Sequence, residues 1–273
     1  MISKYKGAIG LASAAVVLGF TLPSNALIPV DTELSLIVDG SGSISEDGFK
    51  DQLDAYFNVF NDPDFFNDFE QNSLDEGGTG QFAVNLIQFS SSAREEIPFT
   101  LIDSVVASQT FAALIKPISQ IRLGTDLAEA IDLATNSLST NQYDGVASVA
   151  IDISTDGNPD SESAAGRAAT NALNNGVDVI NAIAVQPRPG FPAPDIDFLT
   201  NNIIGGTNAS GRDAFVLEVG SFGDEFEKAV GEKIVGEISI KPPSKETPEP
   251  ASMLGLALVG AFGAVSATKR NKK

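Results

Sequence analysis

The run VASVAIDISTDG, Val146 to Gly157, narrows most what this chain can fold into. It is rich in Val and Ile and shows no apolar/polar alternation. A strand buried on both faces reads this way, and such strands belong to parallel sheets covered by helices on two sides. A second apolar run, LSLIV (34–38), ends in DGSGS (39–43), and QFAVNLIQFS, SAREEIPFTLI, VDVINAIAV and DAFVLEV supply further strands. Helical periods separate them. EDGFKDQLDAYFNVF sets Phe49, Leu53, Phe57 and Phe60 three or four residues apart, with a start near Ser45 or Glu46. SVVASQTFAALIKPIS is helical up to Pro117, DLAEAIDLATNSLS is strongly periodic, and SESAAGRAATNALNNG closes at Gly176. DIDFLTNNII reads as a short helix, and SFGDEFEKAVGEKIVGEI is expected to bury Phe222, Phe226, Val230 and Ile234. The acidic stretch NDPDFFNDFEQNSLDEGGTG receives no element. The expected fold is α/β, a doubly wound, mostly parallel sheet flanked by helices on both faces.

In such a sheet, ligands bind outside the carboxyl ends of the strands. DGSGS and TDG both fall there, and IRLGTDLAEAI brings Thr125 to the start of a helix. Asp39, Ser41, Ser43, Thr125 and Asp156 therefore become candidates for one cluster of oxygen donors on surface loops. The glycines at 40 and 42 are expected to let the backbone turn tightly. Two carboxylates and three hydroxyls, with water, suit a hard divalent cation. A structural turn without metal is the competing reading of DGSGS taken alone. Asp152, in mid-strand, shares parity with Ser154 and Asp156 and is expected either to orient the site or to be held by backbone groups.

Composition removes other chemistry. The chain has no His, Cys or Trp. That excludes Ser-His-Asp and Cys-His nucleophiles, thiolate or imidazole zinc sites, and disulfides. A metal would be oxygen-bound, which favours Mg²⁺, Mn²⁺ or Ca²⁺. An EF-hand loop begun at Asp39 would need a carboxylate at its twelfth position, which is Lys50. GSGS is not a nucleophile elbow, and the loop lacks the Gly-Lys-Ser/Thr of a phosphate cradle.

The ends read as address labels. Lys4 and Lys6, an apolar run from Ala8 to Phe20 and the small residues Ser24 and Ala26 describe a signal peptide, 1–26. A folded body is expected over 27–240 and a Pro-rich linker with Pro-Glu-Pro over 241–250. The segment 251–273 holds the uncharged stretch Ala251–Ala267 and the basic tail Lys269, Arg270, Lys272 and Lys273. That stretch is at the short edge of bilayer-spanning length, and the tail would stay cytoplasmic. The order resembles the PEP-CTERM sorting signal of Gram-negative and cyanobacterial exported proteins, which implies an exosortase-type protease as a processing partner. A plain C-terminal anchor is the alternative. Between residues 27 and 245 there are 11 basic and 34 acidic residues, a net charge of −23. Such a surface repels nucleic acid and anionic lipid and attracts divalent cations, so membrane contact is expected only through the C-terminal segment.

Asp-x-Ser-x-Ser, a later Gly-Thr loop and a Thr-Asp-Gly turn resemble the von Willebrand factor A domain with its metal-ion-dependent adhesion site. The resemblance spans about Thr32 to Ile240 and includes FLTNNIIGGTNASGRDAFVLEV. It implies direct metal contact by Ser41 and Ser43 and mostly water-mediated contact by Asp39. Thr125 and Asp156 would alternate between the two modes, with the last helix expected to shift as a partner binds. One departure is Leu127, where the family often has a second Thr, with Asp126 adding a charge beside Thr125. The function so implied is an exported, divalent-metal-dependent adhesion or protein-binding module at the cell surface or in the extracellular matrix, gripping an acidic ligand. It is not an enzyme, because no general base is apparent beyond the ligands. The alternatives are a structural matrix protein without ligand exchange at the metal, and a metal-dependent hydrolase.

Overall fold

A computed structural model describes residues 26–240. The expected signal peptide apart from Ala26, and the expected linker and sorting segment, lie outside the described residues. Among those described, no helix is long and apolar enough to cross a membrane.

β1 (Ile28–Asp39) is fully buried from Val30 onward. Because side chains alternate across a strand, Leu34, Leu36 and Val38 enter one core while Ile37 joins Ile151 and Ile153 in the other. Its neighbours are β2 (Phe82–Phe89) and β4 (Tyr143–Thr155), both parallel to it. β3 (Ala93–Ile102) turns back antiparallel to β2 at one edge. β5 (Val179–Val185) runs parallel to β4, and beyond it lie β6 (Gly205–Gly206, antiparallel) and β7 (Val216–Val219, parallel). The order is β3-β2-β1-β4-β5-β6, with β7 also on β5. The mostly parallel, doubly wound sheet read from the run 146–157 is the one formed.

Helices cover both faces. α1 (Glu46–Asn61), α2 (Pro63–Asp75), α3 (Val105–Ile115) and α7 (Asp224–Ile238) pack on one. α4 (Leu127–Thr140), α5 (Glu162–Asn174) and the short turn α6 (Ile196–Phe198), continued as a π-turn over Leu199–Ile203, pack on the other. The Ser45 hydroxyl accepts the Gly48 N–H at 3.0 Å and fixes the start of α1. α3 stops before Pro117, and Gly176 takes a positive φ just past α5.

α2 is a helix inside the acidic stretch. The Asp62 carboxylate accepts from the Asp64 N–H at 3.0 Å, Pro63 opens the first turn, and Phe65, Phe66 and Phe69 go inward. Phe69 meets Phe82 edge-on at 4.9 Å between ring centres. In α7 Phe226, Val230 and Ile234 are buried, while Phe222, just ahead of it, is only half-buried against the same core. α7 runs back along the sheet, and Ile240 ends beside Asp31 near the start of β1, where both reach Gly78.

Candidate metal centre

β1 ends by delivering Asp39, whose side chain has no exposure. Its Oδ1 accepts the Ser41 N–H at 2.7 Å and its Oδ2 the Thr155 hydroxyl at 2.7 Å. Burial pushes its pKa from 3.8 up to about 6. The Thr155 and Ser41 hydrogen bonds oppose that rise, and the negative charge of Asp156 adds to it. Ser41 Oγ lies 2.9 Å from Ser43 Oγ, and the Ser43 hydroxyl donates to Asp156 Oδ1 at 2.5 Å. Asp156 is also raised, by burial first, against the Ser43 hydrogen bond and the positive charge of Arg188. Asp39, Ser41, Ser43 and Asp156 are thus brought together at the carboxyl ends of β1 and β4.

Thr125 reaches the same place from the loop before α4. It lines, with Ser43, Gly157, Leu123 and Phe191, a cavity of about 350 Å³. Its N–H donates to Asp160 Oδ2 at 2.9 Å and its carbonyl accepts the Asp160 N–H at 2.9 Å. The departure at 126–127 has a local cause. Asp126 accepts the Glu129 N–H at 3.1 Å as the cap of α4, and Leu127 is buried in the core. Neither points a donor at the cluster.

One expectation needs correction. The donors were expected on surface loops, but Asp39, Ser41 and Asp156 are all at most 1% exposed. The glycines were expected to serve tight turning, and Gly42 does lie in a turn, with no positive φ at it or at Gly40. Both also allow close approach. A Cβ on Gly40 would sit 2.2 Å from Gln88 Oε1, and that oxygen accepts the Ile121 N–H at 2.8 Å. A Cβ on Gly42 would lie 3.3 Å from the Leu123 carbonyl, which accepts the Gly42 N–H at 2.9 Å. With the Arg122 N–H donating to the Gly40 carbonyl at 2.8 Å, loop 40–43 and loop 119–125 are stitched backbone to backbone.

The supporting residues went unread in the sequence. Gln52 of α1 donates to the Asp39 carbonyl at 2.8 Å and accepts the Ser154 hydroxyl at 2.6 Å. Gln120 donates to the carbonyls of Ser41 at 2.9 Å and Ile44 at 3.0 Å. Arg188 donates to the Gly42 carbonyl at 2.9 Å and stacks 4.7 Å from the centre of the Phe191 ring. One signal was available: Gln52 and Gln88 are amides inside an apolar stripe and an apolar strand. Asp152 is held neither by backbone groups nor by the site. It pairs with Lys233 of α7, and both side chains are fully buried.

The donor set is all oxygen and fits a divalent cation: two carboxylates kept from water and two adjacent hydroxyls, with the Thr125 hydroxyl beside the cavity. Among the described residues no group of three or more carboxylates converges, so a cation here would need hydroxyls in its shell.

The fold is that of von Willebrand factor A domains. The chain superposes on the SpRpn10 VWA domain with a TM-score of 0.52 at 13% identity, covering 79% of this chain and 100% of that one. Proximal thread matrix protein 1 from the mussel byssus, with a zinc-occupied MIDAS motif, matches with a TM-score of 0.53 at 16% identity, over 78% of this chain and 49% of that one. A further structure of the same mussel protein gives a TM-score of 0.51 at 14% identity, over 79% and 48%. The chain therefore spans about half the length of the mussel protein. No curated protein sequence matches it. Residues 29–242 match the family model described as "Protein of unknown function (DUF1194)".

Proposed function

The chain belongs to the DUF1194 family, and we propose that it is an exported, divalent-cation-dependent binding module for an acidic group on a protein partner. Asp39, Ser41, Ser43, Thr125 and Asp156 would hold the cation. The observation that carries this reading is the contact of the Ser41, Ser43 and Asp156 side-chain oxygens at 2.5 to 2.9 Å, beside the buried Asp39 and next to an open cavity. The zinc-occupied MIDAS motif of the mussel protein, on the same fold, supports it. A bound Mg²⁺, Mn²⁺ or Ca²⁺ would supply an electrophilic position for a partner's carboxylate.

The chain's own residues do the rest. Thr155 and Ser41 each donate to Asp39 and keep both its oxygens oriented. Gln88 and Gln120 hold the Thr125 loop against loop 40–43. Arg188 places a positive charge near Asp156 that also favours an incoming anion. Leu123 and Phe191 border the cavity at 61% and 42% exposure, so a partner presenting an apolar group beside its acid fits best. Export rests on the N-terminal leader and the Pro-Glu-Pro segment of the sequence. The reading is of a binding protein rather than an enzyme, since no general base is apparent at the site beyond the candidate ligands themselves.

Isothermal titration with Mg²⁺ and Mn²⁺ tests the site. Wild type is expected to bind, and Ser41→Ala is expected to lose binding with an unchanged circular dichroism spectrum. Equal binding by both would refute the assignment. A partner captured from extracellular material and released by chelator would separate a binding module from a matrix protein that merely contains metal.

A further inference from the structure

Lys233 and Glu237 lie one turn apart on the buried side of α7, each 1% exposed, against Asp152 in mid-β4 with no exposure. Three ionisable groups so far from water are costly unless each proton and lone pair is matched. Here they are not matched. The Lys233 ammonium has three N–H groups but two acceptors, Asp152 Oδ1 and, at 3.3 Å, the Ile153 carbonyl. Asp152 Oδ2 and Glu237 Oε2 are buried without a donor. Glu237 Oε1 accepts the Asn181 amide at 2.8 Å. Burial first, then the charge of Asp152, hold the Glu237 carboxyl well above the usual carboxylate range, against the opposing pull of Lys233. A proton held by Glu237 would pair the two carboxyl oxygens with each other and leave one Lys233 N–H without an acceptor. Tyr56 and Phe226, edge to face at 6.1 Å, pack between α1 and α7, and the buried Tyr56 hydroxyl, without a hydrogen-bond partner, feels the charges of Asp152 and Glu237.

We propose that Lys233 and Asp152 form an intramolecular amide between Nζ and Cγ, with Glu237 as the proton relay, joining α7 covalently to the central strand. The step is a dehydration and needs no oxidant or cofactor. The ammonium passes one proton to the Asp152 carboxylate, and the free amine attacks Cγ. Glu237 gives its proton to Oδ2, takes the surplus proton from nitrogen and passes that to Oδ2 as well; the Cγ–Oδ2 bond then breaks and that oxygen leaves as water. The proton first placed on Oδ1 returns to Glu237, which ends as it began. Four protons enter the step and four leave it, one on the amide, two on water and one on Glu237.

The product resolves the mismatch. An amide nitrogen has a single hydrogen, and the Ile153 carbonyl is its acceptor; the new carbonyl accepts from Glu237. No buried charge remains. Low dielectric assists the start, because exchanging an ion pair for a neutral amine and acid is easier away from water. The joint stands independently of the metal centre. It would hold α7 at its third turn, so a partner's arrival would be registered by the loops around Thr125 rather than by sliding of that helix.

The test is peptide mass spectrometry of the full-length folded protein after denaturation and trypsin digestion. We expect the peptide Leu123–Arg167 joined to the one carrying Lys233, uncut after Lys233, at the summed mass less one water. Asp152→Ala should abolish the joined species, and Glu237→Gln should abolish or greatly deplete it while far-UV circular dichroism stays the same. Separate peptides from folded wild type, cut after Lys233, would overturn the proposal and leave an ion pair only. The wild-type result decides even if a variant fails to fold.

Discussion

Asp39→Asn should make the metal-free protein more stable while removing its affinity for divalent ions. The folded carboxyl titrates at about 6 against 3.8 for the free group. That is about two pKa units, and at roughly 1.4 kcal/mol each they amount to about 3 kcal/mol. The sign follows from linkage. Below the unfolded value the carboxyl is neutral in both states and costs nothing. As pH rises from 3.8 towards 6 the unfolded chain ionises first, and folding loses stability. Above the folded value the whole penalty of about 3 kcal/mol is present. Asparagine never ionises, and its neighbours tolerate it. Its oxygen can accept the Ser41 N–H, and the Thr155 hydroxyl can turn to the Gly157 carbonyl at 3.1 Å, leaving Thr155 Oγ1 to accept from the new amide. The assay is urea unfolding in chelator at about pH 5 and about pH 8. Wild type should weaken between the two relative to the variant, and adding Mg²⁺ at the higher pH should restore wild type only. Parallel pH profiles for the two proteins in chelator would refute the reasoning, because Asp39 would then carry no penalty for a cation to relieve.

Thr125→Ala should weaken partner binding much more than metal binding, measured by titration of each against the variant. Equal losses would show that the hydroxyl merely helps hold the ion. Intact mass of protein from the native host should lack residues before Leu27 and the segment from about Pro250 onward. A species retaining Lys269 to Lys273 would instead indicate a permanent anchor.

The sheet was legible because its strands are uniform. Runs such as LSLIV and VAIDI leave few alternatives once helical periods stand between them. The five donor candidates were legible because they are local patterns, three in one loop and two at helix or strand ends. α2 was not: Asn67 and Asp68 stand between the Phe65–Phe66 pair and Phe69, and tertiary packing on Phe82 overrides weak propensity. The role of Gly40 was hidden for another reason, since it depends on Gln88, brought there by strand pairing rather than by sequence neighbourhood. The pairing of Asp152 with Lys233 spans 81 residues. Its traces were Asp152 itself, a carboxylate in mid-strand, and the placing of Lys233 and Glu237 on the same helical stripe as Phe226, Val230 and Ile234.

The path of the chain also fixes how the domain can be presented. β1 enters at the end of the sheet farthest from Asp39, and α7 returns Ile240 to the side of Asp31 at that same end. Any polypeptide continuing from either end therefore leaves from one pole, with the cavity at the other. A tether at that pole, from either direction, would hold the domain like a lamp on its stalk, with Ser43, Thr125, Leu123 and Phe191 facing away from the point of attachment. A tether attached there leaves the mouth of the cavity uncovered, and lengthening it would extend the reach of that face.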